Sequence, residues 1–431
     1  MSQHSPFEAA FARHAAGALQ EAETAYRSIL AQDPSHVEAL HYLGILLHQA
    51  GKRDEGEPLV LQALALDPGH AVRHNDYGNL LSAEGDHAPA AAAFRRSLEL
   101  NPADANVWNN YGSALHRLGQ VAEAESAYRQ ALERLPDFVP ALRNLSALLT
   151  ELGHDDEASL LACRAFVQPP LEGKPYRMLG IACYRLGLLD QAAGFYRLWL
   201  QEEPDNPVAR HHLAACSGES VPTRASDAFV TAVFDEMAET FDAKLVGSLS
   251  YRGPAIVADL LAALPAPDGT LDVLDGGCGT GLCASVLAPY ARRLTGVDLS
   301  PGMIAKAAAR GLYQELAAAE LTEYLQRHPA AFDLVVVADT LIYFGDLSDI
   351  LAALARALRP GGHCAFTVEA AREGETVVLG PSGRFRHALD HVLGALDRAG
   401  FSVQSSHSVT LRQEFCQPEN GFALLARREQ R

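Results

Sequence analysis

The sequence is short of positive charge, of cysteine and of long apolar runs. Lys and Arg number 35 against 53 Asp and Glu, a formal net charge of −18. Such an acidic balance repels phosphate backbones and anionic lipid heads, so neither nucleic acid nor a membrane is expected as a partner. No stretch of about 18 consecutive apolar residues occurs, and the opening MSQHSPFEAAFARH lacks a basic segment followed by an apolar one. Export and membrane insertion are therefore not expected. Cys163, Cys183, Cys216, Cys278, Cys283, Cys364 and Cys416 are an odd number scattered over a long chain, unlike a disulfide framework. They fit a reducing cytoplasm. No CxxxCxxC cluster is present, which excludes that route to radical chemistry, and no metal is expected.

What is present is enough apolar material to fold. Of the 431 residues, 48% are hydrophobic and 20% charged, ordinary values for a globular chain. At roughly 150 residues per domain, this length implies two or three domains.

The first half repeats. Gly17, Gly51, Gly85, Gly119, Gly153 and Gly187 recur every 34 residues, as do Pro34, Pro68, Pro102, Pro136, Pro170 and Pro204. Apolar residues between them fall at helical spacing, for example Trp108, Tyr111 and Leu115, then Ala124, Tyr128 and Ala131. Each unit reads as two helices. The glycine ends the first, where a left-handed backbone costs it nothing, and the proline follows the second, which it cannot continue. Gly44, Gly78, Gly112 and Gly180, seven residues before the turn glycines, mark close approach of the paired helix.

The unit WNNYGSALHRLGQVAEAESAYRQALERLP resembles the tetratricopeptide repeat, and six such units cover about residues 3–206. The first unit departs from the pattern at Pro6 and Ala10 and is expected to be frayed or partly capping. The stretch PVARHHLAAC after Pro204 supplies one more helix to cover the last unit, so residues 1–216 are expected as an α-solenoid. The resemblance implies a concave groove that holds a protein or peptide. Asn75, Asn79, Asn109, Asn110, Asn144, Arg143 and Arg177 stand at positions expected to face it, with side chains able to bond a peptide backbone or carboxylate.

Residues 217–224, SGESVPTR, read as a linker, and beyond them the period vanishes. An amphipathic stretch over 225–264 precedes alternating strands and helices of a parallel α/β sheet, with strands expected at 271–275, 293–298, 332–338 and 363–368. Residues 401–408 and 421–427 supply two more, as a hairpin-like pair at one sheet edge. The first strand runs into LDGGCGTG, where Gly276, Gly277, Gly279 and Gly281 crowd the strand-to-helix turn. Ligands of open α/β sheets bind outside the carboxyl ends of the strands, and backbone without side chains allows close approach. Leu282 and Cys283 stand where a phosphate-binding loop needs Lys and Ser or Thr, which disfavours nucleotide triphosphate chemistry. Gly279, Gly281 and Ala284 satisfy the loose spacing of a dinucleotide fold. Asp275, however, puts a carboxylate beside the ligand, where it would repel a pyrophosphate and welcome an ammonium or sulfonium. Asp298 ends the second strand in LTGVDLSP, placed to accept from ribose hydroxyls.

In VLDGGCGTG, GVDLSPGMI, FDLVVVADTLIYF and LRPGG, taken in order, residues 225–431 resemble the class I S-adenosylmethionine-dependent methyltransferases. The whole chain resembles bacterial predicted methyltransferases that contain tetratricopeptide repeats. The resemblance implies an α plus α/β protein: the solenoid followed by a Rossmann-like domain with a mostly parallel seven-stranded sheet and S-adenosylmethionine as cofactor. It implies that Asp275, Gly277 and Gly279, with Cys278, line the methionine end. Asp298 and Leu299 then lie at the ribose, Met303 on the adenine, Glu320 at the adenine amino group, and Asp339 and Thr340 toward the transferring methyl. Cys278 and Cys283 read as small packing residues rather than metal ligands.

The acceptor is weakly encoded, because methyl transfer is a displacement that requires alignment and a base only for a protonated nucleophile. ADTLIYF stands where amide and adenine N-methyltransferases carry an NPPY-type signature, the pattern of small-molecule and O-directed members. Tyr251, Tyr343, Glu369, His387 and His391 are candidate acceptor-side groups, with Tyr343 and His387 the candidate catalytic residues. The two histidines of RFRHALDHVLGAL are read four apart on one helical face. The segment FVTAVFDEMAETFDAKLVGSLSYRGPAI repeats an aromatic-Asp pair at Phe234, Asp235 and Phe241, Asp242, and resembles lid helices that precede the fold in bacterial methyltransferases. These features imply a methyltransferase whose solenoid recruits or orients a protein, peptide or carrier-bound acceptor. The alternatives are an interaction scaffold with a non-catalytic cofactor domain, and a small-molecule methyltransferase whose repeats serve oligomerisation.

Overall fold

The computed structural model describes residues 5–243, 250–414 and 417–429. Cys416 and the 244–249 part of the lid segment lie outside them. The chain divides into two compact units, Met1–Gln168 and Pro169–Arg431.

The first unit is five antiparallel helix pairs: α1 (Pro6–Ala15) with α2 (Leu19–Gln32), α3 (Val37–Gln49) with α4 (Arg53–Leu66), α5 (Ala71–Ala83) with α6 (His87–Leu100), α7 (Ala105–Arg117) with α8 (Val121–Arg134), and α9 (Val139–Glu151) with α10 (Asp155–Phe166). Gly119 turns α7 into α8 at φ +74, and a Cβ at Gly112 would collide with the Tyr128 ring, which packs directly on the α7 backbone. The first pair is complete rather than frayed. Pro6 occupies the first turn of α1, where its missing N–H costs nothing, and Ser5 and Glu8 form a reciprocal capping box. Ala10 is fully buried, its small side chain fitting the contact with α2.

The second unit opens with α11 (Tyr176–Arg185) and α12 (Leu189–Glu202), the sixth pair of the repeat pattern, then α13 (Pro207–Ser217). These three helices belong to the same compact unit as the sheet. Gly218 closes α13 at φ +71, and residues 217–224 do not hang free: Thr223 O accepts from the N–H groups of Gly345 and Asp346, and Arg224 bridges Phe344. There follow α14 (Asp227–Met237), α15 (Gly253–Leu261), β1 (Leu271–Gly276), α16 (Ala284–Leu287), β2 (Ala291–Asp298), α17 (Pro301–Ala309), β3 (Glu315–Ala318), α18 (Leu321–Arg327), β4 (Phe332–Val337), a 3₁₀ turn (Leu341–Tyr343), α19 (Ser348–Ala357), β5 (Leu358–Ala370), β6 (Val377–Leu379), β7 (Phe385–His387), α20 (Leu389–Arg398), β8 (Phe401–Glu414) and β9 (Gln417–Arg428).

The strands form one nine-stranded sheet in which β3, β2, β1, β4 and β5 are parallel neighbours in that order. β9 pairs antiparallel with β5, and β8 with β9. The short antiparallel pair β6 and β7, joined to β5 through β7, is the addition to the expected seven. β1 and β4 are buried almost throughout, as strands covered on both faces must be, with Asp272, Asp275 and Asp333 their charged residues. Alternation divides them: Leu274 and Val335 pack with Leu351 and Leu396 on one face, Val273 and Leu334 with Ile256 and Leu260 on the other. The open strand β8 keeps a polar, largely exposed middle, which discourages pairing with a further chain. The carboxyl ends of β1, β2 and β4 are left at one edge, beneath α14.

Candidate active site

A cavity of about 280 Å³ opens at those carboxyl ends. Its cofactor side is built from the loop after β1. The N–H groups of Gly277 and Cys278 both donate to Val297 O, at 2.7 and 3.0 Å, turning the chain sharply out of the strand. Gly277 sits at φ +72 against Thr340, whose Oγ1 stands in the place a Cβ would take, so only glycine fits. Gly279 donates its N–H to Asp298 Oδ2 at 2.9 Å, while Asp298 Oδ1 accepts from Ser300 N–H at 2.9 Å. These bonds orient Asp298 and leave each oxygen a further lone pair.

Five carboxyls line this cavity, and burial shifts three of them, Asp275, Asp298 and Asp339. Burial pushes Asp275 up to about 7; the Tyr313 hydroxyl, donating to Oδ2 at 2.6 Å, pulls it partly back, and the Asp298 charge adds to the rise. Burial also raises Asp298, against the backbone N–H groups that favour its charged form. Asp339 is raised by burial against the pull of Arg412. No cation pairs with Asp275 or Asp298 among the described contacts, so an ammonium or sulfonium entering the cavity would meet uncompensated carboxyls. The glycine cradle, which any Cβ would fill, and this anionic lining fit S-adenosylmethionine.

The lid gives the repeated aromatic-Asp pair its meaning. Phe234 and Phe241 line the cavity with ring centroids 5.7 Å apart, and Phe234 also meets Tyr343 edge-on at 5.7 Å. The aspartates latch the segment to α17 and the glycine loop. Asp235 accepts from the Ser300 hydroxyl and, at 3.2 Å, from Gly302 N–H. Asp242 accepts from the Thr280 hydroxyl and pairs with Arg310 at 2.6 Å, and between them Glu239 pairs with Lys306 at 2.6 Å.

At the other end of the cavity the 3₁₀ turn carries Tyr343, held near 12 by burial. Asp339 is a non-glycine residue at φ +54; its N–H donates to Thr367 Oγ1 at 2.9 Å and its Oδ2 accepts from Arg412 Nη1 at 2.9 Å. Arg412 continues to Glu414 at 3.1 Å and to the fully buried Glu369, and Arg384 joins Glu369 and Glu414 at 2.6 Å each. Burial alone would raise Glu369, but Arg384, Arg412 and Arg386 hold it below the ordinary carboxylate range.

Of the residues expected at the cofactor, Asp275, Gly277, Cys278, Gly279, Asp298, Leu299, Glu320, Asp339 and Thr340 line this one cavity, and Tyr251 and Tyr343 line it too. Met303 does not: it is fully buried in α17, its N–H donating to Ser300 Oγ as part of the helix cap. Glu320 spends both oxygens on its own chain, accepting from Thr322 Oγ1 at 2.9 Å and from Glu323 N–H at 2.8 Å to cap α18. His387 and His391 do not share a helix face, because the chain is extended through Phe385–His387 and α20 begins after it. His387 is fully buried outside the cavity wall, its Nε2–H donates to Phe344 O at 2.9 Å, and burial pushes it down to about 4; it is packing, not a base. Glu369 lies behind Arg384 and Arg412 rather than at the surface of the cavity. Sequence reading missed Arg384, Arg412, Glu414, His212 and Ser382, which come from distant segments and carry no motif.

In the first unit, the asparagines expected to face the groove bond to one another from repeat to repeat. Asn144 donates to Asn109 at 2.9 Å and Asn110 to Asn79 at 3.0 Å. Asn75 Oδ1 is buried without a partner among the described residues, and Arg143 is exposed. Arg177 is not free for a peptide: it pairs with Glu236 of α14 at 2.6 Å.

Comparison with known proteins agrees with this geometry. Residues 274–366 match the methyltransferase domain family, residues 13–75 the tetratricopeptide repeat, and residues 82–251 the cilia and flagella-associated protein 70 middle TPR-like domain. Human methyltransferase-like protein 27 is 35% identical over 170 residues, 39% of this chain and 65% of that protein. The ubiquinone biosynthesis O-methyltransferase of Thiobacillus denitrificans is 36% identical over 109 residues, 24% of this chain and 46% of that one. The chain thus spans less than two thirds of the length of either. The crystal structure of an S-adenosylmethionine dependent methyltransferase from Mesorhizobium loti is 25% identical, covering 39% of this chain and 96% of its own, with a TM-score of 0.33. The chain carries tetratricopeptide-type repeats in its first half and an S-adenosylmethionine-dependent methyltransferase domain in its second.

Proposed function

We propose that the protein transfers a methyl group from S-adenosylmethionine to an oxygen or nitrogen of an acceptor held under the α14 lid, and that its repeats bind a protein or peptide that carries or presents that acceptor. The observation that carries the reading is the single cavity joining the glycine loop, the oriented Asp298 and the Asp339 carboxyl, whose Oδ1 is buried without a partner among the described residues. When bound, the cofactor supplies an electrophilic methyl on a cationic sulfur. Asp275 and Asp298 offset its charge and fix its position, Phe234 and Phe241 exclude water, and Asp339 Oδ1 is free to accept the hydrogen of an acceptor hydroxyl or amine. Arg412, bound to the other oxygen, holds that carboxyl in place.

The repeat region's part rests on the asparagine ladder, whose remaining donors and acceptors suit an extended backbone. Among the described residues no helix is long and apolar enough to cross a membrane, and the six described cysteines are all free and buried. A cytoplasmic place for the enzyme belongs to the same proposal.

Calorimetric titration of the full chain with S-adenosylmethionine, S-adenosylhomocysteine and NAD tests the cofactor. Binding of the first two alone is expected, and binding of NAD, or of nothing, would overturn the reading. For the groove, the Asn75→Ala, Asn109→Ala, Arg143→Ala variant should lose the partner that the wild type retains in pull-down while keeping cofactor affinity. Unchanged partner capture would remove the groove from the proposal.

A further inference from the structure

Helix α13, the last helix of the repeat pattern, contributes a side chain to the catalytic cavity. We infer that His212, together with Ser382 from the turn between β6 and β7, forms an acceptor subsite for an uncharged ring that carries a hydroxyl group. The inference deepens the methyltransferase reading and rests on it.

The walls define the ligand by what they offer and what they have already used. His212 stacks on Tyr196 at 5.5 Å and Tyr184 at 6.0 Å and meets Phe229 of the lid edge-on at 5.7 Å, so its ring is held from both sides. Its neighbour His211 donates Nε2–H to Gly383 O at 2.8 Å and stacks on Phe229 at 3.9 Å, tying α13 to the β6–β7 turn and to the lid. Burial pushes His212 down to about 4, so the imidazole is neutral at pH 7 and carries one N–H. The Pro381 backbone carbonyl hydrogen-bonds the ring, and Nδ1 is buried without a partner, which leaves Nδ1 an acceptor. Ser382 Oγ is likewise buried and unpartnered among the described residues. Both residues line the cavity. Two buried polar atoms left bare cost free energy until a ligand satisfies them: His212 Nδ1 calls for a ligand with a hydrogen to donate, and the Ser382 hydroxyl can donate to or accept from the same group.

Charge excludes the other classes. Each arginine of the cavity wall is already paired: Arg384 with Glu369 and Glu414, Arg412 with Asp339, Glu369 and Glu414, Arg224 with Asp227 at 2.6 Å. An acceptor bearing a carboxylate or phosphate would have to break one of these pairs. A protonated amine would be drawn to the Asp275 and Asp298 carboxyls of the same cavity, which no cation pairs among the described residues, rather than to the neutral imidazole. A neutral ring with a hydroxyl satisfies the orphan atoms and the aromatic walls together.

The test uses the full chain saturated with S-adenosylhomocysteine and three probes, resorcinol, 3-hydroxybenzoate and 3-hydroxybenzylamine, followed by ligand-observed NMR. Resorcinol should bind at least about tenfold tighter than the two charged probes. In His212→Phe, which keeps the ring packing and removes the acceptor, resorcinol affinity should fall about tenfold. In His212→Asn, which restores an acceptor near Nδ1, most of it should return. S-adenosylhomocysteine affinity should stay at its wild-type value in both, while the melting temperature falls by a few degrees where the Pro381 carbonyl loses its donor. No resorcinol binding, a preference for either charged probe, or equal loss in both His212 variants would overturn the subsite while leaving the methyltransferase reading intact. Failure of S-adenosylhomocysteine itself to bind would overturn both.

Discussion

The same repeat occurs in both units, and equivalent positions behave differently. Tyr128 in α8 and Tyr196 in α12 are 68 residues apart, two repeat lengths, and each packs on the glycine of its partner helix, Gly112 or Gly180. Tyr128 ends in that local contact within a run of like helices, whereas Tyr196 also stacks on His212 in the wall of the cavity at the carboxyl ends of the strands. Arg143 and Arg177 occupy the same repeat position, yet Arg143 is exposed and Arg177 is paired with Glu236 of the lid. The 34-residue period specifies a helix pair through contacts close in sequence. It does not say what the pair will lean on.

The largest effect should come from cutting the chain in two places. Residues 169–431 are expected to fold and bind S-adenosylmethionine, because they keep the His211–Gly383 bond and the Phe229 stack. Residues 217–431 lose α11, α12 and α13 and should fail to give a cooperative thermal transition. Equal behaviour of the two fragments in a melting experiment would erase the distinction between the sixth pair and the other five.

Next in size is Gly277→Val. Its branched side chain would meet Thr340 at a backbone angle that suits glycine, so S-adenosylmethionine affinity should fall at least about a hundredfold by calorimetry. The equivalent insult in a repeat turn, Gly119→Val, has open space around it and should leave cofactor binding unchanged while lowering the melting temperature by a few degrees.

A pH series separates the units further. Asp275 is raised to about 7 by burial, well above its value of about 3.9 in an unfolded chain. Between about pH 4 and 7 the folded protein therefore binds the extra proton, and this group's contribution to stability falls as pH rises through that window. Affinity for the cationic cofactor should move the opposite way, rising up to about tenfold per pH unit toward 7 and then levelling, with proton release measurable by calorimetry in buffers of different ionisation heat. Asp275→Asn should flatten the profile. The smallest effect is expected for Arg177→Ala, an exposed pair worth at most about 1 kcal/mol, which should raise the cofactor dissociation rate up to about fivefold by stopped-flow. Arg143→Ala should not change that rate.

Much of this was legible in the chain. The glycine and proline ladder marks the helix pairs, because turn and stop residues act locally. LDGGCGTG and Asp298 mark the cofactor loop, because close backbone approach at a strand end demands glycine there. The paired Phe234, Asp235 and Phe241, Asp242 were visible as a pattern before the latch to Ser300 and Arg310 explained it. His387 misled because RFRHALDHVLGAL has helical spacing throughout, while pairing with β5 and β6 draws its first residues into a strand. Met303 misled because a methionine after the second strand fits the family pattern, yet here it is buried in α17.

Sequence alone determined the two kinds of architecture and the cofactor class and named most of the residues that line one end of the cavity, since each depends on backbone requirements written within a few positions. Tertiary structure decided the other end of the cavity. Arg384, Arg412, Glu414 and His212 come from β7 and its turn, from β8 and from α13, and only long-range pairing brings them to Asp339. Their charges and orphaned atoms acquire meaning from burial together, which no local spacing encodes.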